Sequence, residues 1–121
     1  MDRVYTPREA NEGLPALRQQ LERIREARQT ILRAAERIRD QVAADGGGHE
    51  GKDYWEATAL LKTEIEDLAA RGILLRDPQT GLVDFPGERE GRPVYLCWRL
   101  GEDTVSFWHE VASGFAGRKP L

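Results

Sequence analysis

The sequence predicts an α+β fold, in which a long heptad-patterned helical hairpin is followed by a small antiparallel β-meander of three to four strands packed on it. Two observations lead to this class. Over the first 71 residues, apolar side chains recur in steps of three and four, a spacing typical of amphipathic helices. From residue 73 onward, short apolar runs with a period of two are separated by Pro- and Gly-containing turns.

The first helix has a well-marked start. Thr6 and Glu9 form a capping-box pair, and Pro7 occupies the first helical position, where no backbone N–H is needed. Pro15 removes the hydrogen bond to Asn11 and crowds its carbonyl, so we expect a kink or a fresh start near residues 11–15. The glycine-rich tract 45–51 is predicted to end the helix.

The apolar face of this helix is longer than the rest of a small domain can cover. At about 1.5 Å per residue the helix spans roughly 55 Å, about twice the length of the second helix. The excess predicts a homodimer through a heptad face that Arg28 interrupts. The predicted dimer interface consists of Leu14, Leu17, Leu21, Ile24, Arg28, Ile31 and Ile38.

A second helix is predicted over Lys52 to Arg71, with Gly72 as its C-terminal cap. We expect this helix to pack antiparallel to the first helix through its apolar face. In this arrangement Tyr54 and Trp55 cover the distal end of the hairpin, and the sheet lies near Thr6 and Pro15.

The strands are predicted at residues 73–75, 82–85, 94–99 and 104–108, with a turn over 77–81 and a polar connection over 86–93. We assume that Phe85 lies opposite Val94 and that Trp98 lies opposite Val105. The face toward the helices then holds Val83, Phe85, Val94, Leu96, Trp98, Val105 and Phe107. The other face holds Leu82, Asp84, Tyr95, Cys97, Arg99, Thr104, Ser106 and Trp108.

That second face is too aromatic for a plain solvent face, and it is where we expect a functional site. The candidate ligand-binding residues are Asp84, Tyr95, Arg99, Glu102, Trp108, His109, Glu110 and Arg118. Arg118 follows a glycine-flexible tail segment, so it can return to the sheet and clamp an anion there. The two arginines favour an anionic small molecule or a peptide as ligand.

Each candidate also has a structural interpretation. Asp84 and Arg99 can form an ion pair that holds the sheet, and His109 can bond a backbone carbonyl. His109 with Glu110 is a second hypothesis, for a metal, but neighbours on a regular strand point to opposite faces, so chelation requires the strand to break there. Cys97 on a mid-strand is more often a small buried hydrophobe than a nucleophile, and no second cysteine is present to complete a zinc motif.

Length, composition and charge indicate the number of domains, the cellular location and the kind of partner. The chain has 121 residues, 32% charged and 40% hydrophobic, with a formal charge of −3. It fits a single domain over residues 1–121, with a hairpin over 6–71, a sheet over 73–109 and a returning tail over 110–121. No signal-peptide or membrane-spanning pattern occurs, and the single cysteine agrees with a reducing compartment, so we expect a cytoplasmic protein. The negative net charge argues against a nucleic-acid partner, although the first helix has a local arginine excess.

Several uncommon motifs resemble the bacterial domain of unknown function 2203 family. They are Leu-Val-Asp-Phe-Pro at 82–86, Tyr-Leu-Cys-Trp-Arg-Leu-Gly-Glu at 95–102, Trp-His-Glu at 108–110 and Gly-Phe-Ala-Gly-Arg at 114–118, with a similar opening at 5–15. The resemblance covers the whole chain. It implies no activity, because the family carries no assigned chemistry.

Two function classes follow from the sequence. An interaction or scaffold protein is favoured by the heptad helix and by the lack of a recognisable catalytic constellation. The alternative is a small-ligand-binding protein or metal-dependent enzyme that uses the cluster of Asp84, Arg99, His109, Glu110 and Arg118. No cofactor can be named from these residues.

Overall fold

The computed structural model describes residues 3–44 and 50–121, without the side chains of residues 41–44 and 50. Three helices come first, α1 (Pro7–Glu12), α2 (Leu14–Ala44) and α3 (Glu50–Ala70). The strands are β1 (Leu74–Asp77), β2 (Leu82–Arg89), β3 (Arg92–Arg99), β4 (Phe107–Glu110) and β5 (Lys119–Pro120), with a 3-10 helix at Phe115–Gly117. They form one antiparallel sheet in chain order. The α+β class is confirmed, with one short strand more than expected.

The N-terminal helix begins and breaks as predicted. The backbone N–H of Glu9 donates to Thr6 Oγ1, and the N–H of Thr6 donates to Glu9 Oε1, which completes the capping box. The helix is interrupted at Gly13 and restarts at Leu14, so the N–H that Pro15 lacks falls in a first turn.

The helical hairpin ends in a Schellman motif. The backbone N–H of Ile73 donates to the carbonyl of Leu68, and that of Gly72 donates to the carbonyl of Ala69. Gly72 has a φ of 74°, which a side chain would disfavour. Because Leu68 and Ile73 are both buried, this cap also fixes the direction in which the chain enters the sheet. Most of the tract 45–51, predicted to end the first helix, lies outside the described residues, and α3 begins at Glu50 rather than Lys52.

The hydrophobic core lies between the N-terminal part of the hairpin and one face of the sheet. Its buried members are Tyr5, Ala10, Leu14, Leu17, Leu21, Ile24, Leu68, Ile73, Val83, Phe85, Val94, Leu96, Trp98, Val105 and Trp108. The sheet is joined to the N-terminus by two further bonds, from the N–H of Tyr5 to the carbonyl of Pro86 and from the N–H of Val105 to Asn11 Oδ1.

This core changes the prediction for the dimer interface. Four of the proposed interface residues, Leu14, Leu17, Leu21 and Ile24, are fully buried within the single chain. They pack on the sheet and on α3, so they cannot also face a second copy. Arg28, which interrupts the heptad face, bonds within the chain, since its Nη1 donates to Gln79 Oε1 in the turn between β1 and β2.

The distal part of the hairpin remains open. Ile31 and Ile38 are half-buried, and Leu32 is 53% exposed. Trp55 contacts the ring of Tyr54 edge to face and is 69% exposed. The hairpin end that both residues are predicted to cover, residues 45–49, lies outside the described residues.

The sheet register differs from the one assumed. Phe85 lies opposite Leu96, and β2 and β3 continue through residues 86–93 to a tight turn at Glu90 and Gly91, where a polar connection was expected. Both turn residues have positive φ, 54° and 80°, as the favoured two-residue hairpin turns require. Pro86 is tolerated because β1 pairs only with residues 82–84 of β2.

The parity of β4 is inverted relative to the prediction. Leu96 lies opposite Trp108, so Trp108 belongs to the core, while Phe107 lies opposite Cys97 on the other side of the sheet. Val105 is buried ahead of the strand and gives its N–H to Asn11 instead of to the β3 ladder, so the alternation does not run unbroken from Val105 into β4. His109 therefore faces away from the core.

We call the side of the sheet that faces away from the helices the outer face. Its strand positions include Asp84, Tyr95, Cys97, Arg99, Phe107 and His109. None of the helices in the described ranges has the length and the apolarity that a bilayer crossing needs.

Candidate metal and ligand site

Three side chains with metal-ligating atoms meet in the middle of the outer face. Asp84 comes from β2, Cys97 from β3 and His109 from β4, and pairing in the ladder brings the three strands side by side. One ligand atom from each lies within 4.8 Å of the other two. Their exposed fractions are only 3%, 1% and 1% respectively. The site is therefore buried although it faces away from the core.

The imidazole of His109 is held in one orientation. Its Nδ1 lies 2.7 Å from the backbone carbonyl oxygen of Glu110, and because a carbonyl only accepts, Nδ1 carries a proton and donates. Its Nε2 lies 3.0 Å from Asp84 Oδ1. The nitrogen that points into the cluster is thus Nε2.

Asp84 has a second partner. Arg76 Nε donates to its Oδ2 at 2.9 Å, across the irregular pairing between Leu75 and Asp77 in β1. The guanidinium of Arg76 lies over the ring of Tyr95, 5.1 Å from its centroid, and that ring contacts His109 at a centroid distance of 5.6 Å. Tyr95 thus packs between the imidazole and the arginine.

Cys97 is a thiol rather than a thiolate in the metal-free site. Burial raises the pKa of Cys97 to about 11, and the neighbouring charge of Asp84 acts in the same direction, whereas Arg118 acts against it. The thiol is therefore a poor nucleophile at neutral pH. A bound metal ion would reverse this, because coordination deprotonates a thiol.

A cavity of about 340 Å³ opens onto the three side chains. Its remaining wall is formed by Arg76, Leu82 and the segment Val111–Phe115 of the C-terminal tail. The site is thus a pocket in which the tail forms one side and the sheet forms the floor.

The tail is fixed by an ion pair between Arg118 and Glu102. The two side chains are joined at two points, Nη1 to Oε1 at 3.0 Å and Nη2 to Oε2 at 2.7 Å. The guanidinium is also stacked between Phe107 and Phe115, at 4.0 and 4.4 Å from the ring centroids. Burial acts to raise the pKa of Glu102, but hydrogen bonds from Arg118 and from the backbone of Arg99 outweigh it and hold this pKa below its usual value.

The structure divides the predicted site residues into groups. Asp84, Tyr95 and His109 lie together, while Arg99, Glu102 and Arg118 form a neighbouring cluster around Phe115. Arg118 returns to the sheet as expected, and its Nη1 lies 3.9 Å from Cys97 Sγ, but its carboxylate partner is Glu102 rather than Asp84.

Two predicted site residues lie elsewhere. Trp108 is a core residue, in contact with Arg89 and Lys119 through its ring. The Glu110 carboxylate bonds Arg92, so Glu110 reaches His109 only through its backbone carbonyl. The strand stays regular at this point, which places the two side chains on opposite faces.

Two important residues were missed. The sequence places Cys97 on the correct face, but the lack of a second cysteine argues against it as a zinc ligand, so it is not among the predicted ligands. Arg76 was overlooked because the irregular pairing in β1, which the sequence does not announce, decides where that side chain points. Alternation along β3 could have indicated Cys97, since it shares a face with Tyr95 and Arg99.

A comparison with protein families identifies the chain. Residues 3–121 match the family described as "Uncharacterized conserved protein (DUF2203)", and the chain belongs to this family. Neither a curated protein nor a solved structure matches it.

Proposed function

We propose that this protein binds a divalent transition metal, zinc first, through Asp84, Cys97 and His109, and that the metal is the centre of a small-ligand-binding or enzymatic site. The observation that carries this proposal is the anchoring of His109. Its Nδ1–H is bonded to a backbone carbonyl, which leaves Nε2 directed at a carboxylate and a thiol. Metal-ligating histidines almost always have such a partner on the other nitrogen.

The donor set favours zinc over harder ions. Sulfur, imidazole nitrogen and carboxylate oxygen are the three ligand types of protein zinc sites, whereas magnesium and calcium prefer oxygen alone. In a tetrahedral zinc site such ligand atoms lie roughly 3.3–3.6 Å apart. Here they lie within 4.8 Å of one another, with 3.0 Å between Nε2 and Oδ1. Small side-chain movements bring all three into range.

Three protein ligands leave one position of a tetrahedral ion free. Structural zinc sites are closed by four protein ligands, while catalytic sites keep a position for water or substrate. The cavity beside Asp84, Cys97 and His109 supplies space at that position. A metal there acts on whatever enters from the cavity, as a Lewis acid or by activating a water molecule.

The surrounding bonds orient the ligands. Arg76 fixes Oδ2 of Asp84 and leaves Oδ1 toward the cluster, and the carbonyl of Glu110 fixes the imidazole. Such partners of metal ligands contribute about 10–100-fold to metal affinity. Their presence supports a metal site at this cluster.

Metal analysis tests the proposal. The protein is purified with zinc added during expression, its metal content is measured by mass spectrometry, and zinc affinity is measured by competition with a chromophoric chelator. We expect one zinc ion per chain. Cobalt substitution should give a tetrahedral visible spectrum with a thiolate charge-transfer band. Failure to bind either ion after mild reduction would contradict the proposal.

Variants sharpen the test. Cys97→Ala, Asp84→Asn and His109→Gln should each lower zinc affinity at least 100-fold, and Cys97→Ala should also abolish the thiolate band. Glu110→Gln is the matched control, because it changes a neighbouring carboxylate that is bonded to Arg92. Thermal melts of each variant check folding. Loss of zinc in Glu110→Gln but not in Asp84→Asn would indicate the His109 and Glu110 pair instead.

Self-assembly is a second candidate function, favoured by the distal hairpin. Leu32, Trp55 and Leu60 are large apolar side chains that stay exposed in the single chain. A homodimer through this part of α2 and α3 would cover them without opening the core.

Sedimentation should then show a dimer that Leu32→Lys and Trp55→Lys convert to monomer, whereas Val111→Lys, on the tail, should not. A wild-type monomer at micromolar concentration would refute it.

A further inference from the structure

We infer that the open metal position takes the carboxylate of a small ligand whose apolar part lies against Leu82, Val111 and Phe115. This inference rests on the metal site proposed above. It names the class of molecule that the cavity accepts, and three features of the described residues support it.

The first feature is charge. With zinc bound, the thiolate of Cys97 and the carboxylate of Asp84 balance the two charges of the ion, and a neutral His109 adds none. Arg76 then leaves one positive charge at the cavity wall, because its only ion-pair partner among the described residues is Asp84. A monoanion neutralises this charge.

The adjoining charges do not reverse the sign. Glu102 is bonded at both oxygens to Arg118, so this pair is neutral as a whole. Arg99 lies over the ring of Phe115, 5.1 Å from its centroid, and so adds a further positive charge beside a residue that lines the cavity. Glu110, the acid next to His109, is bonded to Arg92. The groups around the cavity therefore favour an anion over a cation.

The second feature is the geometry of Arg76. Its bond to Asp84 uses Nε, and its guanidinium also interacts with the Tyr95 side chain. An arginine has five N–H donors, more than these two contacts use, so donors remain for a ligand. Its side chain lines the cavity and is partly exposed. A planar guanidinium fits a carboxylate well, so one oxygen of a ligand can bind the metal while the other accepts from Arg76.

The third feature is the apolar wall. Leu82, Val111, Ala112 and Phe115 line most of the rest of the cavity, and Ser113 is the polar side chain among them, with its hydroxyl directed to the carbonyl of Glu110. The volume of about 340 Å³ is near the lower end for small-molecule pockets. A short aliphatic or aromatic carboxylate fits this wall better than inorganic phosphate, which has no apolar part.

Binding to the cobalt-substituted protein tests this inference. Benzoate, benzamide, acetate and inorganic phosphate are titrated while the visible spectrum and the heat of binding are recorded. Benzoate should change the cobalt spectrum and should bind at least ten times more tightly than acetate. Benzamide, the neutral isostere, should bind at least ten times more weakly than benzoate. Equal binding of benzoate and benzamide, or tighter binding of phosphate, overturns the inference.

A variant pair isolates the role of the arginine. Arg76→Gln, at a cobalt concentration that saturates the site by its own spectrum, should lower benzoate affinity at least tenfold. Arg92→Gln removes a different sheet arginine, one that bonds Glu110 outside the cavity, and should leave benzoate affinity within a factor of two. Equal effects of the two variants overturn the inference.

The two proposals fail in different ways. If the wild-type protein binds no cobalt or zinc, the metal site itself is refuted. If the protein gives a tetrahedral cobalt spectrum with a thiolate band but benzoate leaves it unchanged, the metal site stands and only the carboxylate inference is overturned.

Discussion

The two faces of the sheet are built from the same strands but carry different kinds of side chain. The face toward the helices is filled with large apolar side chains such as Val83, Phe85 and Trp98. On the outer face the alternate positions carry Asp84, Cys97 and His109, which are as deeply buried. The comparison shows that burial on the outer face does not come from a second core. It comes from the tail, whose residues Val111–Phe115 close the cavity and whose Arg118 holds it in place.

The two faces should differ most in how much the free energy of unfolding falls when an aromatic residue is truncated. Trp98 is fully buried and its Nε1–H donates to the carbonyl of Glu102, so Trp98→Ala should lower the free energy of unfolding by about 3–5 kcal/mol. Phe107→Ala removes a half-buried ring on the outer face and should cost less than half as much. Urea denaturation measures both, and equal costs would show that the face assignment of β4 is wrong.

The contribution of the outer face to stability should depend on pH, whereas that of the core face should not. In the metal-free protein the pKa of Cys97 is raised from 9.0 to about 11, so the folded state holds the thiol proton more tightly than the unfolded state. Its contribution is fully present below pH 9 and is lost as the pH rises through about 11, a change on the order of 2 kcal/mol.

Cys97→Ala is the reference for that measurement, because tyrosines and lysines also titrate in this range. Subtracting its stability curve from that of the wild type should leave a decline confined to alkaline pH. Alkylation with iodoacetamide gives an independent check, since the thiol should stay unreactive near pH 8 in the folded protein. Rapid alkylation there would contradict the burial of Cys97.

The ion pair that holds the tail should have a smaller effect. Arg118→Gln should cost about 1–3 kcal/mol at neutral pH, because it leaves the partly buried carboxylate of Glu102 without its charged partner. The pKa of Glu102 is lowered, so the stabilisation is present above the ordinary carboxyl pKa and is lost as the pH falls through the lowered value. The difference between the variant and the wild type should therefore shrink in acid.

A double-mutant cycle with Glu102→Gln separates this pair from its surroundings. If the two groups act together, the double variant should cost little more than either single variant. Additive costs would show that Arg118 acts through its stacking on Phe107 and Phe115 instead.

The smallest effect on stability is expected on the distal hairpin. Leu32→Lys changes an exposed apolar residue and should alter the free energy of unfolding of a single chain by less than about 0.5 kcal/mol. Leu21→Ala, in the part of α2 that packs on the sheet, should cost about 2–5 kcal/mol because Leu21 is fully buried. Both costs are measured by urea denaturation at a protein concentration at which the chain is monomeric. Similar costs would mean that the distal residues are covered.

Much of the fold could be predicted because the signals are local. The capping box at Thr6 and Glu9, the break before Pro15 and the glycine cap at Gly72 depend on a few neighbouring residues. The change from helical to alternating periodicity likewise marks the start of the sheet. The return of Arg118 to the outer face was also predicted, since the glycines before it allow the chain to reverse.

The sequence by itself thus determined the order of the elements, the α+β class and part of the site, namely Asp84, Tyr95 and His109 with the returning Arg118. Only the tertiary structure decided the register. Val105 gives its backbone N–H to Asn11, 94 residues away in sequence, and β4 pairs with β3 so that His109 joins Asp84 and Cys97 while Trp108 enters the core. A strand has a period of two, so a shift of one residue exchanges its faces, and no local pattern can specify a contact between such distant residues.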